Sequence, residues 1–232
     1  MDAGIIIAKN IQMAAIHNII FDLGNVLLDL NYARARCSFQ DLAGEEWDFG
    51  RGAAEAGPLF DLFLKGHIGE AEFFRQLRSR APRSVGVDDL RRAWNSMLGE
   101  LPPQRLALLT KLREHYRLFL LSNTNYTHLQ ALDGLLKAQL DLDREAFEAY
   151  FEQVYYSCEI GLRKPEVGVY RFVLADAGLD AADTLLIDDL PANIEGGRRV
   201  GLQVFLHAPE TEIADVLPTW LRGTQRTSEK KK

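Results

Sequence analysis

Five short apolar runs, at residues 17–21, 117–121, 153–157, 184–187 and 203–206, punctuate the chain, and most are continuous rather than alternating. Continuous runs suit parallel strands covered on both faces, because side chains of both parities are then buried. Between the later runs the spacing becomes helical. Tyr170, Val173, Leu174 and Ala177 recur at helical intervals between Pro165 and Gly178, and residues 191–200 open on Pro191 and stop before Gly201. Proline is tolerated in a first helical turn and glycine commonly follows a last one. Strand alternating with helix predicts right-handed crossovers and an α/β fold, a doubly wound parallel sheet of Rossmann-like type.

From Leu30 to about Glu100 the strand-like runs disappear. Phe60, Phe63 and Leu64 form one apolar stripe, Phe73, Phe74 and Leu77 a second, and Leu90, Trp94, Met97 and Leu98 a third, with a turn at Gly66-His67-Ile68-Gly69. Aromatic stripes at this spacing read as the core of a small bundle. The expected organisation is a discontinuous α/β core, residues 14–30 and 101–223, interrupted by a helical cap, residues 31–100. Pro102 and Pro103 mark the return, and Leu106, Leu109 and Leu112 form a sheet-covering helix. Flexible termini are expected at 1–13 and 224–232. The run from Ile5 to Ala8 is broken by Lys9 and Asn10 without a preceding basic segment, so no export signal is read, and Met13 is an alternative start.

With 33 acidic against 27 basic residues, the net charge of -6 argues against a nucleic-acid surface. No apolar stretch approaches bilayer length. Cys37 and Cys158 are too few and too far apart for a disulfide framework or zinc site, which fits a reducing, cytoplasmic setting. The partner is expected to be small, and the protein a monomer or homodimer. An anionic substrate on an acidic protein needs local positive charge, from a metal ion and placed cations.

Candidate chemistry gathers where the apolar runs end. Asp22 follows the first run and enters the turn Leu23-Gly24-Asn25-Val26; Ser122 ends the second; Lys164 precedes Pro165; Asp188 and Asp189 end the fourth. Open α/β sheets bind ligands beyond the carboxyl ends of their strands, so these residues converge on one crevice. Asp22 can attack an electrophile, and Asp22 and Asp189 can share Mg²⁺ with the Gly24 carbonyl, Asp188 binding directly or through water. Ser122 and the amides of Asn123 and Thr124 can hold phosphate oxygens while Lys164 neutralises charge. Taken singly, each has a plainer role: Ser122 as a turn residue, Lys164 on the surface, the acidic pair as caps for the helix near Pro191. Asp29 reads as structural, and Asn193 either orients the acidic pair or faces solvent.

Asp22-Leu23-Gly24-Asn25-Val26, Leu121-Ser122-Asn123-Thr124-Asn125, Gly161-Leu162-Arg163-Lys164-Pro165 and Ile187-Asp188-Asp189 resemble the four motifs of the haloacid dehalogenase-like hydrolases. The resemblance spans nearly the whole chain from Ile16 to about Leu206. It implies that Asp22 becomes an aspartyl-phosphate, that Ser122 and Lys164 hold phosphate, that Asp188 and Asp189 hold Mg²⁺, that the helical insert is a cap, and that the partner is a small phosphorylated metabolite. Within the superfamily the motifs are most similar to bacterial α-glucose-1-phosphate phosphatases.

One departure stands out. Phosphatases of this superfamily usually carry a second Asp two residues after the nucleophile, as acid and then base, and here that residue is Gly24. Losing a positioned acid-base forfeits about 10²- to 10⁴-fold in rate, which favours a sugar 1-phosphate, whose anomeric oxygen leaves more easily than an alkoxide. Two alternatives remain: a 2-haloacid dehalogenase, which also lacks that acid but needs no metal, and a catalytically weak sugar-phosphate-binding or regulatory protein. Arg34, Arg36, Arg51 and His67 either reach the substrate from the cap or are simply exposed. Cap closure would hinge near Leu30 and Pro102.

Overall fold

A computed structural model describes residues 15–44 and 57–229 of the chain. The five apolar runs form strands β1 (Asn18–Phe21), β2 (Arg117–Ser122), β3 (Gln153–Tyr156), β4 (Thr184–Asp188) and β5 (Gln203–Leu206). They pair in parallel in the order β3-β2-β1-β4-β5. The order turns outward in both directions from β1, so the switch point, where an open sheet leaves a crevice, lies at the end of β1.

Alternating residues of the same strands feed two separate cores. Ile19, Phe21, Leu118, Leu120, Leu185 and Ile187 point to one face, where Leu109, Leu132 and Leu217 cover them. Ile20, Phe119, Leu121, Tyr155 and Leu186 point to the other, beneath Val169, Tyr170 and Val173. Residues buried on both parities explain why the runs are continuous in sequence. Each such side chain contributes about 1.5–3 kcal/mol by leaving water. Gly197 permits a close helix-to-sheet approach: a Cβ there would come within 2.6 Å of the Leu186 side chain.

The insert forms α1 (Tyr32–Ala43), α2 (Pro58–Leu64), α3 (Glu70–Arg80) and α4 (Val87–Asn95). The rest of the chain adds α5 (Pro103–Leu112), α6 (Tyr126–Leu140), α7 (Arg144–Glu148), α8 (Ser157–Ile160), α9 (Val167–Asp176), α10 (Pro191–Arg198) and α11 (Ile213–Glu229). Helices α1 to α4 bury an apolar cluster of their own around Phe39, Phe63, Phe73, Phe74, Leu90 and Trp94. The Phe63 and Phe73 rings stack with centroids 3.9 Å apart. Every residue of the three predicted stripes except Leu64 is in this cluster or packed against it.

The chain leaves the sheet and returns side by side. Asp29 N donates to Glu100 O at 2.8 Å, Gly99 N to Asp29 O at 2.9 Å, and Asn31 N to Met97 O at 2.7 Å. Asp29 is structural as expected, paired with Arg105 at 2.7 Å. The insert also leans on the strand-end loops: Ser157 Oγ donates to Leu64 O at 2.6 Å, Thr127 Oγ1 to Glu70 Oε2 at 2.8 Å, and Trp94 stacks on His128.

Two expectations need correction or restriction. The polar end from Thr224 continues α11 as helix to Glu229 instead of breaking off as a tail. Arg51 lies outside the described residues, as do 1–14 and 230–232. Among the described residues no helix is long and apolar enough to cross a membrane.

Candidate active site

Register brings the first carboxylates together. Phe21 pairs with Ile187 of β4, so Asp22 and Asp188, each one residue further, lie level on adjacent parallel strands. Residues level on parallel neighbours project to the same face. Asp22 N donates to Ile187 O at 2.9 Å, which carries the pairing one step beyond the strand. Asp189 follows directly, and oxygens of Asp22, Asp188 and Asp189 lie within 4.8 Å of one another.

Lys164 reaches this cluster from the loop between α8 and α9. The Asn123 side chain clamps its backbone on both sides: Nδ2 donates to Lys164 O at 2.8 Å, and Lys164 N donates to Asn123 Oδ1 at 2.9 Å. Nζ then stands 2.8 Å from Asp22 Oδ1 and 2.7 Å from Asp188 Oδ2. Lys164 is therefore no surface lysine; it is 1% exposed. Fully ionised, three carboxylates against one ammonium would leave the cluster two charges negative, in a setting that desolvates them.

The electrostatics follow from that imbalance. Burial pushes the Asp22 carboxyl up to about 8, opposed by Lys164 and reinforced by Asp188 and Asp189. Burial would lower the Lys164 ammonium, but Asp188 and Asp22 outweigh it and hold it above its ordinary value. Asp189 is also raised by burial, against the hydrogen bond from Asn25. A divalent cation supplies the missing charge, and an all-oxygen set of this kind suits Mg²⁺.

The two adjacent acids are not equivalent. Asp188 is fully buried, and its oxygens accept from Lys164, from Leu190 N at 2.9 Å, and from Asn193 Nδ2 at 2.9 and 3.1 Å. The plainer reading as a helix cap does not hold, because Leu190 is the N-cap of α10 and no described side chain bonds its first-turn amides; Asp188 faces Lys164 instead. Asp189 is half-buried and accepts from Asn25 Nδ2 at 2.8 Å. Asn193 orients Asp188 rather than facing solvent.

Asn25 escaped attention in the sequence. It adopts φ 53°, in the left-handed region where Asn is enriched, and its Oδ1 accepts from Leu30 N at 3.0 Å. Its place beside a glycine in a turn was the available signal. The Gly24 carbonyl accepts no hydrogen bond from a described residue, so it stays available as an oxygen ligand. A side chain at Gly24 has no room as the chain stands: a Cβ there would lie 2.6 Å from Leu30 Cδ1.

Ser122 is 3% exposed, and its hydroxyl has no hydrogen-bond partner among the described residues. The Asn123 amide is similarly uncommitted. The Thr124 amide is different: it donates to Ser157 Oγ at 2.9 Å, so it is not free for phosphate as expected. Ser157 thus replaces a ligand contact with an internal one, and nothing in its local sequence signalled this. Cys158 is buried with its thiol pushed up to about 12 by that burial, which makes it inert. Arg34, Arg36 and His67 are exposed.

A model of the haloacid dehalogenase-like hydrolases matches residues 16–201. The chain is 26% identical over 190 residues to D-ribitol-5-phosphate phosphatase of Bacteroides thetaiotaomicron, covering 82% of this chain and 91% of that protein. It also resembles the crystal structure of a family enzyme from that organism in complex with magnesium and inorganic phosphate: 31% identity, 85% and 97% of the two chains covered, TM-score 0.75. A HAD-like family hydrolase from Porphyromonas gingivalis is 28% identical over 90% of this chain and 99% of that one, with a TM-score of 0.78.

Proposed function

The chain belongs to the haloacid dehalogenase-like hydrolases, and on that footing we propose that it is a Mg²⁺-dependent phosphatase acting on a small phosphate monoester through a phosphoryl intermediate on Asp22. The observation that carries the reading is the joint approach of Asp22, Asp188 and Asp189 with Lys164 Nζ against two of them. A 2-haloacid dehalogenase needs no metal, and the three acids would then crowd one lysine without purpose.

In this reading Asp22 attacks phosphorus, the bond to the ester oxygen breaks, and water later hydrolyses the acyl phosphate. Asp22, Asp189 and the Gly24 carbonyl would hold Mg²⁺, which would supply positive charge beside the transferring group. Asp188 acts through water, because Lys164, Asn193 and the Leu190 amide already occupy its oxygens. Lys164 neutralises phosphoryl charge and favours the ionised form of Asp22 against its burial, while Ser122 Oγ and the Asn123 amide donate to phosphate oxygens. Asn123 contributes a second way, by positioning Lys164 through its side chain.

Residues 31–100 serve as the cap that excludes water, with the hydrogen-bonded segments at Asp29 and Gly99 as its hinge. For the substrate, the named relative acts on a polyol phosphate, and Gly24 favours an easier leaving group, so a sugar 1-phosphate is the finer reading. The two free cysteines suit a cytoplasmic enzyme.

A phosphate-release screen over hexose 1-phosphates, polyol 5-phosphates, sugar 6-phosphates and an aryl phosphate, with Mg²⁺ or EDTA and beside Asp22→Asn, tests this. Magnesium-dependent release that disappears in the variant is expected. Tight magnesium-dependent phosphate binding with no product from any ester would instead identify a binding protein.

A further inference from the structure

Ser157 opens α8 at the carboxyl end of β3 and is wholly buried. Its hydroxyl has more partners than it has protons. It accepts from Thr124 N at 2.9 Å, and two carbonyl oxygens compete for its single proton, Leu64 O at 2.6 Å and Thr124 O at 3.0 Å. The nearer acceptor belongs to the insert. Leu64 is the last residue of α2, where a carbonyl has no intrahelical amide to meet, so Ser157 supplies the missing donor.

Thr124 belongs to the other side of the cleft. It follows Ser122 and Asn123, whose hydroxyl and amide are assigned to phosphate above, and Asn123 also clamps Lys164. The next residue, Asn125, accepts from Trp94 Nε1 of α4 at 3.4 Å. The insert therefore touches this loop twice, and one of the contacts passes through the Ser157 hydroxyl. Glycine makes that contact possible. Gly66, two residues beyond Leu64, adopts φ 69°, and a Cβ built on it would collide with the Cys158 carbonyl oxygen. Any side chain there would lift the turn after α2 away from α8.

We infer that Ser157 is a positioning residue that transmits the seating of this turn to the phosphate-holding loop. With the turn seated, the proton goes to Leu64 O and Thr124 is held through its amide alone. With the turn lifted, the proton passes to Thr124 O, and both polar groups of the Thr124 backbone are drawn to one side chain. The loop then has two arrangements. The seated one leaves the Ser122 hydroxyl and the Asn123 amide uncommitted among the described residues, ready for phosphate. The inference rests on the phosphatase reading above for the assignment of this loop to phosphate.

Titration calorimetry of inorganic phosphate in the presence of Mg²⁺ tests it on wild type, Ser157→Ala, Gly66→Asn and the double variant. Asparagine tolerates the left-handed turn, so Gly66→Asn lifts the turn through its Cβ with little added backbone strain. Each single variant is expected to weaken phosphate by about 3- to 10-fold, the net worth of one hydrogen bond. In the Gly66→Asn background Ser157→Ala should add no more than about twofold, because the contact it removes is already broken. An equal factor in both backgrounds makes Ser157 an ordinary structural support and overturns the inference, as does an unchanged affinity in Ser157→Ala. Should Gly66→Asn fail to fold, hydrogen exchange in Ser157→Ala takes its place: residues 64–68 and 122–125 must both exchange faster, and a change confined to one segment overturns the inference. Coupling seen in phosphate affinity without hydrolysis of any ester upholds the role of Ser157 and sinks the phosphatase reading. If wild type binds no phosphate with Mg²⁺, both fall.

Discussion

Lys164 Nζ lies 2.7 Å from Asp188 Oδ2, with both side chains wholly withdrawn from solvent. Neither charge is tolerable there alone, because a buried ion without its partner has lost hydration and received nothing in exchange. Asp22, 2.8 Å from the same Nζ, makes the lysine a shared counter-ion.

Lys164→Met is therefore expected to lower the stability of the metal-free protein by about 3–5 kcal/mol. Mg²⁺ should recover more stability in the variant than in wild type, since the cation then meets three uncompensated acids. Urea unfolding with Mg²⁺ and with EDTA measures both. An equal magnesium effect in the two proteins would mean that the lysine and the metal do not address the same charge.

Stability should also depend on pH through Asp22. Its folded pKa, raised to about 8 by burial, lies above the ordinary carboxylate value of about 4. Between those limits the folded state keeps a proton that the unfolded state has released, so this group makes stability fall as pH rises. The slope is about 1.4 kcal/mol per pH unit at most. Subtracting the unfolding free energy of Asp22→Asn, which cannot titrate, isolates it. Without metal the difference should decline from about pH 5 to about pH 8. Magnesium, which binds the ionised form, should flatten the decline; a metal-free difference that rises with pH would contradict the desolvated setting of Asp22.

Gly24→Asp should prove difficult as a single change. With Leu30 Cδ1 only 2.6 Å from the new Cβ, crowding is expected to cost about 1–3 kcal/mol. Leu30→Ala removes the obstruction, so the double variant should be more stable than the sum of the singles by about 0.5–3 kcal/mol. Additive losses would mean that Leu30 simply turns away.

Asn193 holds both oxygens of Asp188 through one amide group. Asn193→Ala is expected to weaken Mg²⁺ binding by about 10- to 100-fold, because supports of metal-bound groups fix their direction. Titration calorimetry gives the constant. An affinity within about twofold of wild type would assign Asn193 to helix α10 alone.

Much of this molecule was legible in one dimension because its signals are local. Buried parallel strands must be apolar on both parities, so β1 and β4 stood out as continuous runs with Asp22 and the Asp188–Asp189 pair at their ends. The stripes of α2, α3 and α4 were legible for the same reason: a helix that buries one face repeats its apolar residues. Asn25, Asn123, Asn193 and Ser157 were harder. Each works through a hydrogen bond to a distant or displaced partner, and a short polar side chain near a turn looks the same whether it caps a helix or holds a lysine.

The order of strands and helices, the acidic balance, the chemical identities of Asp22, Ser122, Lys164, Asp188 and Asp189, and the absence of a carboxyl group at Gly24 were determined by sequence. Tertiary structure decided how those identities are used. It spent the oxygens of Asp188 on Lys164 and Asn193, committed the Thr124 amide to Ser157 and filled the space beside Gly24 with Leu30. Periodicity reports which face of an element is buried, because burial acts on every residue of that face. Which donor meets which acceptor depends on strand register and loop path, and those emerge only when separate segments pack together.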